Sequence, residues 1–139
     1  MQNQYNLLRR QHEPELMAMC ADTGVGLVPY SPQGKDRLAC PWGEQSTRSS
    51  VDHVVQAFDS PLDEPVVNAG QELADARGDT MVQVALAWVL RNPAVGAPIV
   101  GATKPHHLPE AVAAVELKLT GDEAAALEKP YTNNGPSWY

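Results

Sequence analysis

Residues 26–38, GLVPYSPQGKDRL, set a tyrosine at the end of an apolar run and follow it with serine, proline, glycine and cations. A flat ring at the mouth of a strand can stack on a flat heterocycle. Ser31 and Gly34 let backbone N–H groups approach a phosphate closely, and Lys35 and Arg37 add positive charge. A second segment, PIVGATKPHHLPEA (98–111), carries residues 101–104 between an apolar run and a helix predicted to begin at Pro105. Helix N-termini attract anions through free amides and the macrodipole. The Thr103 hydroxyl and Lys104 stand beside that end, as a clamp for a phosphate monoester would require. Each segment taken alone also reads as an ordinary turn or a solvated loop, because Ser, Pro and Gly are common turn formers.

Other chemistries are less well supported. His106 and His107 are adjacent, so a helix points them in different directions, and no cysteine or carboxylate pattern completes a metal site. Ser31, Asp52 and His53 would make a hydrolytic set, but no Gly-x-Ser-x-Gly elbow accompanies them. Tyr5 and Tyr30 are the candidate proton donors, with Lys35 or Lys104 as tuning cations. Tyr30 is better explained as a stacking ring. His12 and His53 read as surface or satisfied polar residues, and Met17 and Met19 as core filling. Trp42 is equally suited to lining a pocket and to capping the core.

These residues need elements to position them. The 139 residues suffice for one domain, 1–139, with a long loop over 31–62 and a tail over 130–139. Short strands are predicted over 2–8, 25–30 and 97–103. The unbroken apolar run 25–30 fits a strand buried on both faces, as in a parallel sheet covered by helices. Helices are predicted over 13–24, 63–78, 79–93, 105–115 and 120–129, with a shorter one over 50–58. In 13–24 the apolar stripe is Leu16, Met19 or Cys20, and Thr23. In 63–78 it is Val66, Ala69, Leu73 and Ala76. The helix over 79–93 is apolar nearly all round and so mostly buried. Thr120 and Glu123 form a capping box. The alternation of strand and helix points to an α/β fold with a parallel sheet and right-handed crossovers. Three strands leave two open edges and too little surface to cover the helices, so the domain reads as part of a larger architecture that associates through those edges, as a homo-oligomer or with another chain.

The formal charge is −7 and the pI about 4.9. That acidic balance argues against nucleic acid as a partner. No apolar run is long enough to span a bilayer, and no secretory leader is visible in the first residues. Cys20 and Cys40 read as reduced, structural thiols. Together these features point to a cytoplasmic protein without a membrane or nucleic-acid partner.

The two segments in this order, with QNQYNLLRR before them, MVQVALAWVLRNP between them and LTGDEAAALEKPY after them, resemble the aldo-keto reductase family from its sixth barrel strand onward. The resemblance implies a partial (βα)8 TIM barrel of about three parallel strands with flanking helices, and a lineage of NADP(H)-linked reduction of small carbonyl substrates. Carried over by motif, Gln2 resembles the glutamine that holds the nicotinamide carboxamide, and Tyr30 the ring stacked on the nicotinamide. Ser31, Pro32, Gln33 and Gly34 resemble the pyrophosphate-side loop. Gly101, Ala102, Thr103 and Lys104 resemble the loop gripping the ribose 2′-phosphate, and His107 and Glu110 fall where the family contacts adenine. Gln33, Asp36, His107 and Ala111 depart from the residues usual there, which are leucine, glycine, arginine or glutamine, and asparagine.

The family's catalytic Asp, Tyr, Lys and His tetrad comes from the first half of its barrel, so the resemblance implies no catalytic residue in this chain. The isolated chain is therefore expected to lack reductase activity unless another chain supplies the tetrad. A non-catalytic NADP(H)-binding or oligomerising scaffold is the rival reading, and a hydrolase reusing the half-barrel mouth is the third.

Overall fold

The computed structural model describes residues 1–44 and 60–133. The helix predicted over 50–58, with Asp52 and His53, lies outside the described residues, as does the tail beyond Asn133.

Three extended segments run parallel, with the one ending at Tyr30 in the middle. Gln4 pairs with Tyr30, Tyr30 with Ile99, and Leu27 with Val95. The Tyr30 N–H donates to the Asn3 carbonyl at 2.9 Å, and the Ile99 N–H to the Pro29 carbonyl at 2.8 Å. The parallel pairing predicted from the sequence is thus present, but as isolated bridges rather than continuous ladders. Pro29 and Pro98 bring no N–H to the pairing, which interrupts it.

The predicted two-sided burial is not found. Leu27 is fully buried, whereas Val25 and Val28 are about two-fifths exposed and Ile99 is 44% exposed. Alternation along an extended chain explains why Leu27 is buried and Val28 and Ile99 are not: one face packs on helices and the other has no layer over it among the described residues. Val25, two residues before Leu27, still belongs to the preceding turn, its N–H donating to the Cys20 carbonyl.

The first helical stretch opens with a π-helical turn, Glu13–Met17, closed by the Met17 N–H on the His12 carbonyl. It continues as α1, Ala18–Thr23, and stops at Gly24 in the left-handed conformation. Met17 and Cys20 face the core, while Met19 is exposed, so only one of the two methionines fills the core. The wider π turn shifts the face relative to a plain 3.6-residue count.

After a 3-10 turn at Pro61–Asp63, α2 runs Glu64–Arg77 and ends at Gly78 with positive φ. Its buried residues are Val66, Val67, Gly70 and Ala74. That face is rotated from the predicted stripe, leaving Ala76 in solvent. Asp63 is buried and receives both Arg9 Nη groups, at 3.2 and 3.4 Å. The pairing fastens the start of α2 to the end of the first segment.

Helix α3, Met81–Leu90, is the centre of the core, with Val84 to Val89 all buried. Its apolar circumference is the reason. A capping box of Thr80 and Gln83 starts it. The Trp88 ring lies 5.0 Å from that of Tyr5. Helix α4, His107–Glu116, packs on α3 through Ala114 but leaves Leu108, Val112 and Val115 more than half exposed. Helix α5, Gly121–Glu128, begins with the predicted Thr120/Glu123 capping box and packs on α2. Among the described residues, no helix is long and apolar enough to cross a membrane.

Candidate functional site

The middle segment delivers Tyr30, half-buried and paired on both sides, to a tight run of turns over 31–39. The Gly34 N–H donates to the Ser31 carbonyl at 3.0 Å and the Ala39 N–H to the Asp36 carbonyl at 3.1 Å. Ser31, Gly34, Lys35 and Asp36 all have positive φ, at 52°, 59°, 56° and 72°. Three of these four are not glycine, so the loop holds a conformation that its side chains resist. Gly34 has a second constraint, because a Cβ there would stand 3.1 Å from Leu8 Cδ1.

The loop is held from below. Asn6 is fully buried and its Nδ2 donates to the Ser31 carbonyl at 2.8 Å, while its Oδ1 accepts from the Leu8 N–H at 2.9 Å. Leu38 plugs the far end of the loop into the core. Arg37 lies 5.7 Å over the Trp42 ring, and Trp42 packs against the core, which makes it a cap.

The third segment leads into residues 101–104, all exposed. The predicted helix start at Pro105 is displaced to His107, because a turn intervenes: the His107 N–H donates to the Lys104 carbonyl at 3.1 Å. The Thr103 N–H is engaged by His107 Nδ1 at 3.3 Å. Pro105 and Pro109 carry no N–H, so this helix start offers fewer amides than a proline-initiated one at 105 would.

The two loops meet across a cavity of about 820 Å³, a size suited to a small-molecule ligand. Gln33, Gly101, Thr103, Lys104, His107 and Glu110 line it, joined by Asp36, Ala39, Cys40, Val82 and His106. Half of the residues expected to touch cofactor therefore line one cavity. Ser31, Pro32 and Gly34 belong to the loop's own scaffold. Gln2 and Ala102 are exposed and lie outside the cavity lining, and Tyr30 stands at the sheet beside it.

Chemically the cavity mixes Lys104 and two imidazoles with Asp36 and Glu110. Burial, followed by Glu44 and Asp36, pushes the Cys40 thiol up, with Arg37 working the other way, so it is a poor nucleophile. Cys20 and Cys40 are both free thiols. Tyr5 is not a usable acid: burial raises its pKa well above the ordinary phenol value, and its hydroxyl donates to Glu13 Oε1 at 2.9 Å. Among the described residues no group of three metal-ligating side chains occurs.

Sequence reasoning missed Asn6, Ala39 and Val82, and considered Cys40 only as a structural thiol and His106 only as a metal ligand. Only Asn6 carried a signal, as an asparagine inside the apolar YNLL run.

The chain is similar to known proteins in sequence and fold. The description "Aldo/keto reductase family" matches residues 1–131. The chain is 43% identical, over 136 residues, to a versiconal hemiacetal acetate reductase of Aspergillus parasiticus, covering 94% of this chain and 39% of that protein. It is 37% identical to a putative aryl-alcohol dehydrogenase of Schizosaccharomyces pombe, over 94% of this chain and 38% of that one. A crystal structure of a thermostable aldo-keto reductase with the inhibitor epalrestat superposes with a TM-score of 0.68 at 29% identity, covering 93% of this chain and 38% of that one. The chain thus spans about two fifths of the length of these relatives, which carry a TIM-barrel-like α/β fold. On residues 1–131 the chain belongs to the aldo/keto reductase family.

Proposed function

We propose that this chain is the cofactor-side part of an aldo-keto reductase (βα)8 barrel and holds NADP(H) across its strand ends, in a lineage of aldehyde and ketone reduction. The observation that carries the reading is a cavity of about 820 Å³ in which the 31–40 turns face Thr103, Lys104, His107 and Glu110. Its volume and the Lys104 side chain on its wall fit a phosphate-bearing nucleotide. Lys104 takes the ribose 2′-phosphate, Tyr30 stacks on the nicotinamide, Gln2 holds the carboxamide, and Glu110 and His107 border the adenine. The cofactor would supply hydride. This chain's residues bind and orient it, and the proton donor comes from a tetrad outside this sequence.

Titration with NADPH, followed by its fluorescence and compared with NADH, tests the reading. Binding that favours NADPH and falls roughly tenfold or more in Lys104→Ala supports it. No binding at millimolar cofactor refutes it. Aldehyde-dependent NADPH oxidation by the pure chain would show that the tetrad has been replaced.

A further inference from the structure

We infer that Ile99 is a further binding residue of the site, closing against the edge of the nicotinamide ring that Tyr30 carries. The inference rests on the cofactor reading above. Ile99 pairs with Tyr30 in parallel register, and its N–H donates to the Pro29 carbonyl at 2.8 Å. Paired residues of parallel neighbours put their side chains on the same face, about 5 Å apart. Ile99 therefore stands beside Tyr30, on the face that no other layer covers among the described residues.

The third segment carries that face into the cavity. Along an extended chain every second residue shares a face. Gly101 and Thr103, the next two residues in that alternation, both line the cavity. On the middle segment Gln33, shortly after Tyr30, lines it as well. The Tyr30 and Ile99 pair is thus the sheet-side rim of the same cavity. A Cβ at Gly101 would meet nothing within 4 Å beyond its chain neighbours, so the way from the cavity down to Ile99 is open.

The exposure of Ile99 fits this role. It is 44% exposed, whereas Pro98 and Val100 on either side are half-buried. An aliphatic side chain left in water beside an aromatic ring gains by burial against a flat, largely apolar edge. A nicotinamide stacked on Tyr30 presents such an edge. The adenosine half, held at Lys104 and Glu110, lies further along the cavity and does not reach Ile99.

Ile99 is the one isoleucine in the sequence. The whole chain labelled with 13C at isoleucine δ1 methyls therefore gives a single signal from this position. The probes are NADPH and adenosine 2′,5′-bisphosphate, which lacks the nicotinamide. NADPH binding is read independently by its fluorescence. The methyl signal is expected to shift with NADPH in step with the fluorescence, and to stay in place with the bisphosphate. Ile99→Ala should weaken NADPH about three- to tenfold and leave bisphosphate affinity unchanged. Ile99→Val keeps most of the contact and should stay within about twofold. With NADPH bound, three results overturn the inference and leave the cofactor reading standing: an unmoved methyl, equal losses for both probes in Ile99→Ala, or a methyl that moves with protein concentration instead, which would give this surface to a second copy of the chain. No NADPH binding by the unsubstituted chain overturns both.

Discussion

Asn6 and Ser31, 25 residues apart in sequence, are joined by a hydrogen bond of 2.8 Å from the Asn6 amide to the Ser31 carbonyl. The same carbonyl accepts the Gly34 N–H, so one buried side chain fixes the point where the sheet hands over to the ligand loop. Removing the amide leaves the Leu8 N–H without its acceptor, at a cost of about 1–3 kcal/mol. Asn6→Ala should lower the urea midpoint accordingly and weaken NADPH binding in parallel. Asn6→Asp keeps the acceptor for Leu8 but sets a buried carboxylate oxygen against the Ser31 carbonyl, so it should also destabilise at neutral pH. Wild-type stability in Asn6→Asp would show that the bond contributes nothing.

Asp36 combines an unfavourable backbone angle with an unfavourable charge. Its φ of 72° suits glycine or asparagine, and the residue lines the cavity proposed for an anion. Asp36→Asn tolerates the angle and removes the charge, so NADPH should bind more tightly. Asp36→Gly should bind at least as well. Asp36→Ala removes the charge too but is strained there, and should unfold more easily by about 1 kcal/mol. Equal affinity in all four proteins, measured by fluorescence titration, would show that this carboxylate does not face the ligand.

Glu128 is the hub that ties α5 to the core. It accepts from Trp88 Nε1 at 2.9 Å, Arg91 Nη1 at 3.0 Å and Arg10 Nη2 at 3.3 Å. Arg10 in turn lies over the rings of Trp88 and Tyr131, at 5.3 and 5.1 Å. Burial alone would lower the Arg10 pKa, but Glu13, followed by Glu128, more than offsets it and holds the guanidinium charged. Glu128→Leu strands the buried indole N–H and should destabilise by about 1.5–3 kcal/mol. The Trp88 fluorescence should shift with it. An unmoved denaturation midpoint would reduce the cluster to surface decoration.

The capping box of α5 sets an acid limit. The Thr120 N–H, and then Arg77, hold the Glu123 carboxyl below its ordinary pKa. A depressed folded-state pKa stabilises above the unfolded value and loses that contribution as pH falls through the folded one. Melting temperature should therefore drop on acidification partly through this residue. Glu123→Gln keeps the cap bond and should remove that part of the slope. An identical slope in the variant would place the acid sensitivity elsewhere.

Local chemistry made much of this protein legible. Thr120 with Glu123, the glycines at 24 and 78, and the wholly apolar α3 each state their element directly. The family motif at 30–34 and 101–104 brought out the two loops that share the cavity. What stayed hidden depends on particular partners, one far away in the chain and others only a turn away. The hand-over bond of Asn6 needs Ser31, the His107 ring needs the Thr103 amide, and the displaced start of α4 needs the turn at Lys104. The predicted two-sided burial failed because an apolar run records what a strand can bury, not which face has a layer to meet.

That unmet face leads to the last prediction. Leu108, Val112 and Val115 recur at helical spacing along α4 and are 57%, 61% and 51% exposed. Val28 and Ile99 expose apolar surface on two of the paired segments. Among the described residues the three parallel segments also leave two outer edges, and open edges favour pairing with another chain. In the relatives, the rest of the barrel is available to cover such surfaces; in this chain alone a second copy is. We therefore expect the pure chain to be a dimer or larger at micromolar concentration by light scattering, with Val112→Asp shifting it toward monomer. Val112 is exposed, so the charge should leave the fold and its melting temperature nearly unchanged. A wild-type monomer under those conditions would mean that this apolar stripe tolerates water and has no role in assembly.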